Sequence, residues 1–248
     1  MSDAAATETG TLFPPPGFRR AGCGGLVTRV AGVEATLSAS GALWLAASGI
    51  LIAADLHLEK GSSYAARGQL LPPYDTRDTL ARLEAEVDLR APQATVLLGD
   101  SFHDGKAEGR LHASDVARIE ALAARTALIW VVGNHDADGP RFLPGDVRDT
   151  LTIDGLDLVH EPSPRPVRGE LAGHLHPASK VRGYARAVRA RCFLTDGERM
   201  ILPAFGAYAG GLNVRDTAFA GLFSTAPTAC ALGRGRVHAL NWAILVGD

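Results

Sequence analysis

Five apolar runs of this chain stop in aspartate, asparagine or histidine. Asp55 and His57 follow ILIAA, Asp100 follows VLLG, Asn134 and His135 follow WVVG, His160 follows LDLV, and His174 and His176 follow LAG. A short apolar run bounded by turn residues reads as a buried strand. Polar groups at the end of such a strand need partners, because an unpaired buried polar group is costly. Open α/β sheets gather their ligand sites at the carboxyl ends of parallel strands, so these side chains can converge on one place.

The segments between the runs supply the rest of the fold. LVTRV, VEATLS, ALWLAAS and ILIAAD read as consecutive strands separated by Gly and Ser. From Asp75 to Leu89 the period changes, with Leu80, Leu83 and Val87 at helical spacing, Asp75 as the expected cap and Asp78 three residues on. ATVLLGD is a buried strand, Ser114 is expected to cap a second helix carrying Val116, Ile119 and Leu122, and ALIWVVGNHD is a further buried strand. Strand, helix, strand, helix, strand predicts a parallel core. After Asp154 the pattern turns to short strands: LDLVHE, LAGHLHP, RCFLTD, RMILPA, AFAGLFS and RVHALNWAIL. The expected fold class is therefore α/β, a two-sheet β-sandwich flanked by helices with the polar cluster at strand ends.

With 248 residues, 46% hydrophobic, the chain can bury one sizeable core. Residues 1–25 are expected to form a loose, Pro-rich N-terminal arm, and 26–248 one domain with no internal repeat or linker. The 25 basic and 27 acidic residues leave a formal charge of −2, so no global basic field recruits nucleic acid, and any polyanion must be held locally. Cys23, Cys192 and Cys230 form no CxxC pair, which argues against a disulfide framework or structural zinc and favours a reducing cytoplasm. No basic-then-apolar leader and no long uninterrupted apolar segment is present, so neither secretion nor membrane spanning is expected.

Residues i and i+2 of an extended chain point the same way, which would let Asp55 with His57, and His174 with His176, face one site while Leu56 and Leu175 face the core. Carboxylate, imidazole and amide oxygen form a donor set without thiolate, suited to manganese, iron or zinc. Asp55, His57, Asp100, Asn134, His160, His174 and His176 exceed one tetrahedral ion. Two ions bridged by a carboxylate would use them all, and Asp100, alone on its strand, is the natural bridge. Two divalent ions against two carboxylates leave a net positive site that attracts a phosphodiester. His135, beside Asn134 and free of metal, can protonate the leaving oxygen, with Asp136 expected to orient its ring.

DxH, GD, GNHD, a lone His and GHxH, in that order, resemble the calcineurin-like metallophosphoesterases over nearly the whole chain from about Leu26. The resemblance implies a dinuclear centre, with Asp55, His57, Asp100 and His176 on one metal, Asp100, Asn134, His160 and His174 on the other, and His135 as catalytic acid. Within that superfamily ADLHLEKG, LLGDSFHD, HEP, GHLHP and LPAFGAYAGG resemble the ligase-associated DNA damage response endonucleases. That implies two divalent ions, manganese foremost, DNA as substrate, and a ligase and helicase of one repair system as partners. Related branches act on lipid precursors or cyclic nucleotides, so a small nucleotide or lipid-linked diester is the alternative substrate. A non-catalytic nucleic-acid-binding module is the second alternative.

Lys60, Tyr64 and Arg67, just past the DxH strand, are candidate substrate contacts or a solvated face. His103 and Asp104 could touch substrate or order their own loop. Arg165 to Arg191 contains seven Lys or Arg against one acid, Glu170, so Arg182 and Tyr184 are candidates for a nucleic-acid groove. His112 and His238 read as satisfied core histidines, and Phe205 and Gly206 as packing and turn residues.

Overall fold

The computed structural model describes residues 15–183 and 186–248. The first sheet has eight strands lying side by side in chain order: β1 (Arg19–Arg20), β2 (Leu26–Val30), β3 (Val33–Leu37), β4 (Leu43–Leu45), β5 (Ile50–Ala54), β6 (Ala94–Leu98), β7 (Ala127–Val131) and β8 (Asp146–Arg148). The first five form an antiparallel meander, and β5 to β8 are parallel. α1 (Lys60–Ala65) and α2 (Asp75–Arg90) carry the chain from β5 to β6, and α3 (Ala113–Ala123) from β6 to β7. These are the crossovers that parallel strands require.

The second sheet contains β9 (Leu151–Ile153), β10 (Leu156–Val159), β11 (Glu170–Ala172), β12 (Pro177–Val181), β13 (Val188–Thr195), β14 (Met200–Ile201), β15 (Leu212–Asn213), β16 (Thr228–Gly233) and β17 (Arg236–Leu240). β10, β11 and β14 run parallel, and β13 pairs antiparallel with β12, β14 and β16.

Side-chain alternation along β5 shows how the layers form. Ile52 and Ala54 face the second sheet, packing in one cluster with Leu156, Leu158, Leu171, Phe193 and Met200. Leu51 and Ala53 face the other way, in a cluster with Leu80, Leu83 and Val87 of α2 and Ile119 and Leu122 of α3. The expected two-sheet sandwich is present, with its α-helices on one outer face. The other face is closed by a smaller cluster in which Val214, Phe219, Leu222 and Leu245 cover Cys192 and Leu194.

Several local expectations change. Regular structure starts before Leu26, since Arg19 and Arg20 add an edge strand to β2. Asp75 is not a cap: Tyr74 holds that position without a side-chain bond, and the buried Asp75 carboxylate accepts from the Gly61 amide at 2.9 Å. Nor does Ser114 cap α3. His112 does, its ring accepting from the Ser114 amide, and both His112 and His238 are exposed rather than in the core. AFAGLFS forms no strand but a 3-10 turn at Thr217–Phe219, because Phe219 and Leu222 share one face three residues apart and Gly221 takes a φ of 76°. The strand in that region is β16, whose small apolar residues carry no alternating signal because both faces are covered.

Arg199 ties the loops of the second sheet together from within. It is 1% exposed, pairs with the buried Glu170, and donates to the carbonyls of Ser163, Arg165 and Leu222. The two segments that run from His160 to β11 and from β13 to β14 are thereby fixed to each other.

Candidate metal centre

The carboxyl ends of the parallel strands of both sheets meet at one seam. Ala54, at the end of β5, bridges to Ala204 beyond β14, and the Phe205 and Gly206 amides donate to the Ala54 and Asp55 carbonyls at 2.7 and 3.1 Å. Asp55 and His57 follow β5, Asp100 follows β6, and Asn134 and His135 follow β7. Opposite them, His160 follows β10 and His174 and His176 follow β11. Arg191 and Arg82 hold the carbonyls of 204–206, so the buried Phe205 and Gly206 are the packing and turn residues expected.

The seven candidate ligands come together as two adjoining groups. The donor atoms of Asp55, His57 and His176 lie within 4.8 Å of one another, and so do those of Asp100, His160 and His174. Within the first, His57 Nε2 is 3.1 Å from His176 Nε2, which is 3.3 Å from Asp55 Oδ1. Within the second, His160 Nε2 lies 3.1 Å from His174 Nδ1, 3.4 Å from Asp100 Oδ1 and 2.9 Å from the Asn134 amide oxygen. Asp100 stands between them, its other oxygen 4.0 Å from His57 Nε2.

Backbone strain, not strand alternation, produces the convergence. Asp55, His57, Asp100, His174 and His176 all have φ between 45° and 66°. The pairs at i and i+2 therefore share a site because both members are left-handed, which corrects the expectation of extended chain there. Leu56 is buried between the first pair as expected, whereas Leu175 is only partly buried. Asp, Asn and His tolerate this region better than most residues, but holding one there still costs about 1–3 kcal/mol, as is common where function over-determines the backbone.

Three glycines make the approach possible, and sequence reading missed them although the signal was present: each directly precedes a ligand. A Cβ on Gly99 would lie 2.0 Å from His160 Nδ1, one on Gly133 2.2 Å from Asp100 Oδ1, and one on Gly173 2.5 Å from Asp55 Oδ2. Amides complete the orientation, with His174 N donating to both Asp55 oxygens and His135 N to Asp100 Oδ1 at 2.9 Å.

The donors fit divalent cations. Asp55 and Asp100 are 0% and 2% exposed, and among the described residues their ionic contacts are all to histidines. Burial, reinforced by His176 and then His135, pushes the His57 ring down to about 2, so it is neutral with a lone pair to give. Two buried carboxylates with no Lys or Arg paired to them among the described residues leave charge that metal ions would compensate.

His135 stands at the open edge of the pair. Its Nδ1 lies 2.9 Å from the His103 carbonyl, which makes Nδ1 the donor and leaves Nε2 toward the site, 3.9 Å from Asp100 Oδ2. Asp136 does not orient it. The Asp136 carboxylate turns inward and accepts from the Gly133 and Phe102 amides at 2.9 and 3.1 Å, and burial pushes its carboxyl up. Asp136→Ala should therefore cost about 1–3 kcal/mol in urea denaturation by orphaning those amides. An unchanged midpoint with a displaced pH–rate profile would return Asp136 to the orienting role.

His103 stacks on His135 at 5.7 Å between ring centroids, and Tyr64 lies 5.8 Å from His103, with Lys60 Nζ 5.9 Å above the Tyr64 ring. Burial, then Lys60 and His135, with Arg67 further down the order, push the His103 ring below its ordinary value. Lys60, Tyr64 and His103 thus form one wall beside the centre, with the exposed Arg67 within electrostatic reach of it. Asp104 serves its own loop, bound at both oxygens by Arg110. The basic stretch is largely engaged elsewhere: Arg168 pairs with Glu198, Lys180 and Arg189 with Asp248, and Arg191 with backbone. Arg182 is exposed past the end of β12, which leads away from His176, and Tyr184 lies outside the described residues.

The sequence profile of the calcineurin-like phosphoesterases matches residues 49–185, a segment that contains all seven candidate ligands and His135. The chain belongs to the calcineurin-like phosphoesterase family, and its paired donor groups imply divalent metal ions. Among solved structures it is similar to the nuclease MPE of Pseudomonas putida, with 28% identity and a TM-score of 0.67 over 87% of this chain and 100% of that one. The E. coli phosphoesterase Yfce matches with 16% identity and a TM-score of 0.38 over 77% of this chain and 98% of that one. No curated protein matches the chain. Among the described residues, no helix is long and apolar enough to cross a membrane.

Proposed function

We propose that this chain hydrolyses DNA phosphodiester bonds with two divalent metal ions, as an endonuclease on single-stranded or flapped DNA in repair. The observation that carries this reading is the paired donor groups with Asp100 between them and a histidine outside both groups, His135, at their open edge. The likeness to a nuclease at 28% identity favours a nucleic-acid substrate. When bound, two such ions supply Lewis acidity and charge neutralisation for attack on a phosphodiester.

The chain's own residues do the rest. Asp55, His57, Asp100 and His176 hold one ion, and Asp100, Asn134, His160 and His174 the other. The N/O donor set suits manganese, iron and zinc alike, and manganese is the ion this reading favours. His135, when protonated on both ring nitrogens, would present Nε2–H to the leaving oxygen while Nδ1–H donates to the His103 carbonyl. Lys60, Arg67 and His103 line the side from which the phosphate would be gripped. A ligase and a helicase of the same repair system are the partners this role calls for.

One gel tests the reading: metal-stripped protein plus manganese with single-stranded, duplex and flapped DNA. We expect cleavage of a single-stranded or flapped form, with His135→Ala slower by about 10²–10⁴-fold at unchanged metal content. Intact DNA from protein that still hydrolyses a generic diester would overturn the reading in favour of a small nucleotide or lipid-linked substrate. Protein that binds no manganese would favour a non-catalytic binding module.

A further inference from the structure

An open cleft of about 400 Å³ borders the metal centre, and His135 stands on the boundary between the two. Its walls are the loop that follows Asp100 and the loop that follows His135, and at its outer end is Phe142, 86% exposed. Little about packing explains an aromatic ring left in water there. Its neighbour Leu143 is buried and anchors the loop in the core.

The backbone that presents Phe142 is fixed. The amides of Arg141, Phe142 and Leu143 all donate to the Glu108 carboxylate, at 2.7 to 3.1 Å. The ring is thus an exposed apolar surface on a rigid support, which is what a stacking partner needs, since little ordering is lost when something settles on it. The four carboxylates of the walls are already engaged: Glu108 by these amides, Asp104 by Arg110, Asp136 by the Gly133 and Phe102 amides, and Asp138 by Arg141. Lys106, exposed in the same wall, makes no ion pair among the described residues.

We propose that this cleft takes the nucleotide on the leaving-group side of the scissile bond, with its base stacked on Phe142 and Lys106 beside its phosphate. The inference rests on the nuclease reading and on His135 as the acid. The group attached to the oxygen that His135 protonates leaves on the His135 side of the centre, and this cleft, lined in part by His135, opens on that side. Its volume accommodates one nucleotide. Aromatic stacking is indifferent to base identity, so the cleft would favour unpaired bases without selecting a sequence. Duplex DNA, whose bases already stack on each other, gains nothing from it.

The test uses full-length protein with manganese and a single-stranded oligonucleotide in which one phosphodiester is flanked by methylphosphonate linkages. An abasic site is placed on either side of that bond in turn. For wild type, loss of the base on the leaving-group side should raise KM about 5- to 100-fold, as expected for one base–aromatic stack, with kcat little changed. Phe142→Ala should show the same rise on the intact oligonucleotide and no further response to the abasic site, while Phe142→Trp should restore wild-type KM. A Phe142→Ala enzyme that cleaves both oligonucleotides like wild type overturns the inference and leaves the nuclease reading standing. A wild type that cleaves no oligonucleotide but hydrolyses a generic diester overturns both.

Discussion

Asparagine in place of Asp100 is expected to silence the site, with hydrolysis falling more than about 10⁴-fold. Asp100 turns a different oxygen toward each donor group, Oδ1 3.4 Å from His160 Nε2 and Oδ2 4.0 Å from His57 Nε2. Its loss therefore weakens both sites at once. Each bound ion contributes several kcal/mol to transition-state stabilisation, and about 1.4 kcal/mol is tenfold in rate, which sets the size of the loss. Asparagine keeps the shape and can still accept the His135 amide bond, so the fold should survive. The measurement is metal content by elemental analysis beside turnover of a generic diester. Two manganese per chain with intact turnover would show that Asp100 does not bridge.

Gly99→Ala is expected to lower stability by about 2–5 kcal/mol and to empty at least one metal site. Gly99 has a φ of 72°, where a Cβ costs about 1–2 kcal/mol, and that Cβ would sit 2.0 Å from His160 Nδ1. Overpacking of this kind adds about 1–3 kcal/mol. Gly155 separates the two contributions, because its φ is 78° but nothing lies within 4 Å of the added carbon. Gly155→Ala should cost only the backbone share, about 1–2 kcal/mol, and leave metal binding intact. Equal urea midpoints for the two variants would mean that the contact with His160 yields freely, and the tight approach would then lose its importance.

The sequence carried much of this because strand ends and metal ligands coincide. Apolar runs closed by Asp55, Asp100, Asn134, His160 and His174 indicate both where strands stop and which groups must meet. The sandwich and its two sheets were legible for the same reason. What sequence could not carry is backbone conformation: Asp55 and His57 look like an alternating strand pair, and only the structure shows both in the left-handed region. Asp136 looks like the partner of His135 because it is adjacent, but two buried amides claim it first. The basic run from Arg165 looks like a groove until Asp248, Glu198 and the 204–206 carbonyls are seen to occupy its members. Phe142 gave no signal, since a single aromatic in a loop is silent until its exposure is known.

The seam between the sheets also sets an order of events for the nascent chain. The His174 amide closes on Asp55 across 119 residues, and His57 meets His176 across the same separation. Contacts so distant in sequence form late, after local hairpins and crossovers have shortened the loop between them. The first sheet can pair from β1 through β8 in simple chain order, whereas neither donor group exists until β11 has docked. Metal capture is thus a checkpoint on completed folding: a chain stalled before His160 would hold most of one sheet yet have no cage in which an ion, or its hydrolytic chemistry, could be set loose.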